Sequence, residues 1–339
     1  MNLRSVSSFV LRNIPLLLLV VVFATFSILD ERFFDLNTLS NVARNTAYIG
    51  IVAVGMTLVL MTAGIDLAVG SMLYLSAVVV GQIIRAVDLP VAVVPVLSIM
   101  VGLALGCING FATSILRVIP FIVTLAMLTV YRGLGLELTE SRSINYPESI
   151  GALGNQSILG LPLPIWIFAV VVLLAHLLVT RTPFGRQLLA TGEDRRAAER
   201  AGIPVRRILF IVYAISGALA GLAAFVAMTQ LRTADPGFGV GDEFDAIAAA
   251  VLGGTSLFGG RGSVFPGTVV GALLIQLIQT GLVFLQVDLY ITPMVQAGII
   301  LIAVLADSLR TKRLQKLGRR VITSDRIAEH KTTTHPDPE

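Results

Sequence analysis

Carboxylates within the apolar part of this chain are few, and they limit the chemistry open to it. They are Asp66, Asp245 and Asp307. An ionisable group in an apolar helical region is costly, so it marks either an ion or proton site or a satisfied structural pair. Asp66 stands in Gly64-Ile-Asp-Leu-Ala-Val-Gly70, where glycines permit a sharp break and the carboxylate can accept bonds from amides at the next helix start. An ion relay needs further acids or coordinating groups, so the capping role is the favoured expectation. Asp245, in Asp245-Ala-Ile-Ala-Ala249, heads another expected helix, and both roles stay open for it. The remaining reactive groups are scattered. His176 is alone in an apolar segment, where helix packing is the expected role, and His330 and His335 lie near the C-terminus. Cys107 is the only cysteine, so neither a disulfide within the chain nor a cysteine metal cluster is possible, and no metal site is expected. All three lysines, Lys312, Lys316 and Lys331, fall in the C-terminal tail, and no GxxxxGK[ST] occurs. A P-loop needs that lysine to reach the terminal phosphates, so the chain carries no ATPase site of that kind.

Two further segments invite a binding role. The first runs from Thr191 to Gly202, as Thr191-Gly-Glu-Asp-Arg-Arg-Ala-Ala-Glu-Arg-Ala-Gly202, and predicts a charged helix of about two to three turns. Thr191 and Asp194 have capping-box spacing, acids fill the first turn, arginines follow, and Gly202 with Pro204 supplies the stop. Such a helix is too short to be stable alone in water, which points to docking, with an ordinary surface helix as the alternative. The second is Leu252-Gly-Gly-Thr-Ser-Leu-Phe-Gly-Gly-Arg-Gly262. It lacks the preceding strand and following acid of a dinucleotide fold, so close packing through Gly253, Gly254, Gly267 and Gly271 is the simpler expectation. Neutral polar residues in apolar segments include Asn45, Gln82, Asn109, Thr124, Gln230, Gln276 and Gln279. With no arginine or lysine deep in a span, a tight anion site is not expected, and a weakly polar route suits a neutral polyhydroxylated solute.

The elements that must position these groups are membrane helices. Of 339 residues, 55% are hydrophobic and 14% charged, and the mean hydropathy is +0.86. Soluble domains carry about 25% charged residues, so this is a polytopic, all-α membrane protein. A net charge of +4 could suggest nucleic acid, but the basic residues are dispersed over loops and a tail, so no nucleic-acid partner is expected. Ten spans are predicted: Ile14 to Leu29, Ala47 to Ala63, Ala68 to Ile84, Val91 to Leu116, Pro120 to Leu136, Leu163 to Thr180, Ile208 to Gln230, Asp245 to Phe258, Val264 to Gln286 and Ile291 to Ala306. The first is read as a retained span, because no small-residue cleavage site precedes Asp30. The Gly64 to Gly70 connection and Asp245 to Phe258 are expected to be broken or re-entrant, with their backbone buried by protein. With a cytoplasmic N-terminus, nineteen of the 25 lysines and arginines fall inside, and only Arg32, Arg44, Arg85, Arg132, Arg142 and Arg232 fall outside. Both termini are then cytoplasmic, as is Thr191 to Gly202. Residues 1–309 form the transmembrane domain and 310–339 a basic tail, expected to be disordered at its end.

Six stretches in order resemble the membrane-spanning permease subunits of bacterial ATP-binding-cassette importers, in the ribose, rhamnose and autoinducer-2 branch. They are Gly64-Ile-Asp-Leu-Ala-Val-Gly-Ser71, Gly102 through Asn109-Gly110, Ile119-Pro-Phe-Ile-Val-Thr-Leu125, Thr182-Pro-Phe-Gly-Arg186, Gly192 through Ala198 to Gly202-Ile203, and Asp245 to Ala249 with Leu252 to Gly262. The resemblance implies a type II importer fold. It also implies a coupling helix carried by Glu193, Arg196, Ala197, Ala198, Ala201 and Gly202, which rests in a groove of a separate ATPase subunit. ATP and Mg would belong to that subunit, with no cofactor on this chain. Further implied partners are a second permease subunit, identical or not, a periplasmic solute-binding protein and the lipid bilayer of the inner membrane. By the same analogy the translocation route involves Asn45, Asp66, Asn109, Phe121 and Thr124; separately, Gly64, Gly70, Gly253 and Gly254 are expected as helix-break glycines from the glycine-rich sequence itself. The arginines at 195, 196 and 200 make this segment more basic than the resemblance suggests.

The function expected is therefore uptake of a neutral monosaccharide or sugar-like solute, without covalent catalysis by this chain. The alternatives are an ion-coupled secondary transporter using Asp66 and Asp245, and an importer permease for a branched-chain amino acid. A membrane enzyme is disfavoured, because no nucleophile, metal cluster or paired acid is evident.

Overall fold

The computed structural model describes residues 14–87 and 89–288, with scattered positions from 291 to 305. Twelve α-helices order this part of the chain: α1 (Ile14–Leu29), α2 (Leu36–Met61), α3 (Val69–Ala86), α4 (Val94–Ser114), α5 (Pro120–Thr139), α6 (Glu148–Asn155), α7 (Leu163–Arg181), α8 (Pro183–Glu193), α9 (Arg195–Arg200), α10 (Val205–Leu231), α11 (Asp242–Leu252) and α12 (Val269–Phe284). Prolines at or beside the first position start α4, α5, α7 and α8, where the missing amide is no loss. At the other ends, Glu140 and Arg232 take left-handed backbone and turn the chain after α5 and α10.

Among the described residues seven helices are long and apolar enough to cross a bilayer, where ten spans were expected along the whole chain. These are α2, α3, α4 with a preceding 3-10 turn, α5, α7, α10 and α12 with a preceding π turn. Helix α1 has only 16 residues. The expected tenth span, 291–306, lies mostly outside the described residues, as does the tail 310–339. Asp245 to Phe258 is not one helix: α11 begins three residues earlier and ends at Leu252, after which Gly253 and Gly254 turn the chain. Helix α2 begins eleven residues before the expected Ala47, because Asn37, Thr38, Ser40, Asn41, Arg44 and Asn45 form a polar first half that hydropathy alone misses.

The core belongs to α2, α3 and α10. Sixteen of the 26 residues of α2 are buried, against eight of 21 in α4 and five of 20 in α5, which turn most of their apolar surface outward. The tightest seam joins α4 to α10. A Cβ at Gly102 would strike the Gly217 carbonyl, one at Gly106 the Tyr213 carbonyl, and one at Gly221 the Ser98 carbonyl. Small residues four apart on both helices let the backbones touch. Helices α11 and α12 pair likewise through Gly253 with Gly267 and Gly271 with Ala249, as the glycine pattern suggested. Gly254 is different, since nothing crowds it and its φ of +91° serves the turn itself. Thr57 on α2 and Thr268 share a buried hydrogen bond of 2.7 Å.

At the end of the bundle opposite α9, short ribbons cover the helix ends. Ile144–Asn145 pairs antiparallel with Thr233–Ala234, and Ser157–Ile158 with Leu161–Pro162. The segment after α10 folds back toward the bundle, so that Gly239 meets Gly70 in the first turn of α3.

Candidate functional site

Between α2 and α3 the chain is unwound from Thr62 to Ala68. Ala63, at φ +56°, makes the left-handed turn, not Gly64, whose missing side chain instead leaves room for the Tyr213 hydroxyl. Gly70 is helical, and its role is the close approach of Gly239. Asp66 is fully buried. One carboxylate oxygen accepts from the Ala68 amide at 3.1 Å, and the other accepts from the Ser216 hydroxyl of α10 at 3.0 Å. Carbonyl groups of the unwound segment are also held. The Ile65 carbonyl accepts from Thr124 of α5 at 3.2 Å and from Tyr213 of α10 at 3.4 Å. Unsatisfied backbone at membrane depth costs several kcal/mol per group by order of magnitude, which is why two helices, α5 and α10, supply donors here.

Asn109 of α4 closes this cluster. Its carbonyl oxygen accepts from the Tyr131 hydroxyl at 3.0 Å, and its buried amide nitrogen faces Asp66. The structure thus brings Asp66, Asn109 and Thr124 together, with Ser216, Tyr213 and Tyr131, which the sequence reading did not single out. The signal for Tyr213 and Ser216 was available as two polar groups three apart, on one face of an otherwise apolar helix. Phe121 is half-exposed on the outward side of α5, and Asn45 is exposed in the polar first half of α2, sixteen residues before Met61. Neither joins the cluster.

The charged segment is two helices, not one. Asp194 breaks it: its carboxylate caps α9 by accepting from the Arg196 and Ala197 amides at 2.9 and 3.1 Å. Thr191 belongs to the last turn of α8, where its hydroxyl donates to the Gln187 carbonyl, so the capping-box spacing is unused. The stop is as expected. Gly202, at φ +79°, donates to Glu199, and Ile203 donates to Ala198, the two bonds of a Schellman ending. Glu193, Arg196, Ala197, Ala201 and Gly202 are exposed, whereas Ala198 is buried against Val205 and Leu209. A docking face on this segment therefore excludes the Ala198 side chain.

Two separated stretches converge on the end of α2. The Met61 carbonyl accepts from the Gly260 amide at 3.0 Å, and the Thr62 carbonyl accepts from the Arg195 guanidinium at 3.1 Å. A Cβ at Gly192 would collide with Met61, and one at Gly260 with the Glu193 side chain. The exposed arginine-bearing segment is hence bonded to the residue where α2 unwinds, four positions before Asp66.

Arg132, counted with the outside charges although it falls inside the expected span Pro120 to Leu136, lies within α5, seven residues before its end, so an arginine does stand within an apolar helix. It stacks 4.6 Å above the Tyr74 ring and donates to the Phe238 carbonyl at 2.6 Å. The folded-back 232–241 segment supplies those carbonyls, which offset the cost of the charge. Asp245 sits in the first turn of α11 and accepts from Gln279 of α12 at 2.7 Å. His176 packs edge-on against Phe265, with ring centres 6.1 Å apart. Among the described residues no group of three histidine, cysteine or acidic side chains could hold a metal.

A bundle of apolar helices with a buried polar break tied to an exposed charged segment fits a membrane transport protein. A family described as "Branched-chain amino acid transport system / permease component" matches residues 38–305, and the chain belongs to it. The chain is 36% identical to the ribose import permease protein RbsC of Haemophilus influenzae, over 91% of this chain and 97% of that one. It is 39% identical to RbsC of Escherichia coli, over 86% and 92%, and 35% identical to the D-allose transport system permease protein AlsC of Escherichia coli, over 88% and 90%. No solved structure matches.

Proposed function

We propose that the chain is the membrane-spanning permease of an ATP-driven importer that carries a neutral sugar across the bacterial inner membrane. The observation that carries the mechanism is the bonding of the Glu193–Gly202 segment to Met61 and Thr62, beside the Asp66 break. ATP, with Mg, is hydrolysed on a separate cytoplasmic subunit that grips Glu193, Arg196, Ala197, Ala201 and Gly202. Both termini and this segment face the cytoplasm. A second permease subunit completes the route, and a periplasmic binding protein delivers the solute to the opposite end. Closure of the ATPase pulls on Thr62 through Arg195 and rearranges the unwound segment, where Asp66, Asn109 and Thr124 lie. Displacement of that segment alternates access, because its contacts are exchangeable hydrogen bonds rather than interlocked side chains.

The family description names branched-chain amino acids, whereas the relatives quoted above are named for sugars and span most of both chains. The sugar reading is supported further by Asp66, whose two oxygens are already engaged by Ala68 and Ser216. The test uses vesicles containing the permease with and without its ATPase and binding protein. Sugar uptake should require all three and ATP, and leucine should not compete. Uptake driven by an ion gradient without the ATPase would overturn the importer reading, and displacement of the sugar by leucine would overturn the substrate class.

A further inference from the structure

At the end of the bundle opposite α9, a cavity of about 340 Å3 opens between α2, α3, α10 and the folded-back 232–242 segment. Its wall includes Tyr48, Leu73, Asp235, Phe238, Gly239 and Asp242. Small-molecule sites span about 300–1,000 Å3, so the space suits one compact solute rather than a few waters at about 30 Å3 each. Two of its polar groups are uncommitted. Neither the Tyr48 hydroxyl nor the Asp242 carboxylate makes a hydrogen bond among the described residues. Both line the same cavity. Asp235 accepts from the Gly237 amide at 2.7 Å and keeps its second oxygen for another donor. Paired carboxylate acceptors beside an aromatic face are the chemistry that recognises vicinal hydroxyls on a carbon ring.

A cation fits the cavity less well. Arg132 lies behind the wall, bonded to the Phe238 carbonyl. No three-ligand metal group exists among the described residues. The floor gives the cavity its place in transport. Gly239 and Gly70 touch backbone to backbone there, and a Cβ on either would strike the other residue's carbonyl. Gly70 follows Asp66 by four residues, so the floor of the cavity adjoins the break that α9 holds through Thr62.

We propose that this cavity is a receiving site for one neutral monosaccharide, held by hydroxyl donation to Asp242 and Asp235, with Tyr48 as the third polar partner and ring support. The proposal rests on the importer reading. It predicts hydroxyl-specific effects, which a merely structural role would not produce. The probes are labelled D-ribose and its singly deoxygenated analogues, each saturating the binding protein, taken up by vesicles holding the full complex. Asp242→Asn should slow D-ribose uptake roughly ten-fold, the loss expected for one hydrogen bond to a charged group. It should slow at least one deoxy analogue no more than about two-fold, because that analogue lacks the hydroxyl concerned. Tyr48→Phe, which keeps the ring and packing, should spare a different analogue. Wild-type uptake with variants that slow every sugar alike, or none, overturns the cavity alone. Absence of ATP-driven uptake of any of these sugars by the wild type overturns the importer reading and the site together.

Discussion

Replacing Asp66 by alanine and by asparagine separates a structural carboxylate from an ion-coupling one. The carboxylate accepts two bonds, from the Ala68 amide at 3.1 Å and the Ser216 hydroxyl at 3.0 Å, in a fully buried setting. Hydrogen bonds to a charged group contribute about 1.5–3 kcal/mol each, so Asp66→Ala should cost about 3–6 kcal/mol and leave both donors stranded. That is a large share of a typical folding free energy of about 5–15 kcal/mol. Asparagine has nearly the same shape and keeps one acceptor, so Asp66→Asn should cost only about 1–3 kcal/mol. The assay is the unfolding midpoint of the purified protein in lipid nanodiscs, read beside ATP-driven sugar uptake. The alanine variant should melt lower by on the order of ten degrees, while the asparagine variant should stay closer to wild type and retain measurable uptake. A wild-type midpoint for Asp66→Asn combined with complete loss of uptake would refute the reasoning, because only the charge would then be missing.

Two further perturbations address the charged segment. Arg195→Ala removes the guanidinium bond to the Thr62 carbonyl, about 1–3 kcal/mol of attachment, and should lower solute-stimulated ATP hydrolysis several-fold; Arg195→Lys should recover only part of it, since an ammonium lacks the planar fork. Unaltered stimulation in both variants would remove Arg195 from the coupling route. Gly202→Ala forces a side chain into φ +79° and should cost about 1–2 kcal/mol locally, fraying the end of α9 and weakening capture of the ATPase subunit in a pull-down from detergent.

Much of this arrangement was legible residue by residue. Asp66 between two glycines announces a cap at a break, and its bond to Ala68 is as local as the spacing suggested. Its bond to Ser216 lies 150 positions away and has no local signature. The split at Asp194 escaped for a different reason. Both Thr191 and Asp194 are good capping residues, and α8, launched from Pro183, runs far enough to take Thr191 into its last turn. Arg132 was counted with the outside charges although it stands inside the expected span Pro120 to Leu136. Nothing in the local sequence tells that residues 236–238 return to supply carbonyl acceptors and that Tyr74 offers its face. The burial of Ala198 follows from the Schellman turn, which folds Ile203 and Val205 back over α9.

The α4–α10 seam and the break beside it differ in how they can respond to force. Across the seam, Gly102 and Gly106 meet Gly217 and Gly221 backbone to backbone, so no side chain can change rotamer to let the helices slide. The break is held to the same frame by hydroxyl groups of Tyr213, Ser216 and Thr124, bonds that can be exchanged at a net cost of about 1 kcal/mol each. A pull on Thr62 should therefore move the break and leave the seam fixed. The two neighbours Ser216 and Gly217 test this on one turn of helix. Ser216→Ala should preserve insertion and thermal stability to within about 1–3 kcal/mol while changing the number of ATP molecules consumed per sugar transported. Gly217→Val adds branched bulk where even a Cβ would strike Gly102, and should prevent a stable fold, with little protein recovered from the membrane. A well-folded Gly217→Val protein with normal transport would mean that the seam yields, and that the frame against which the break moves lies elsewhere.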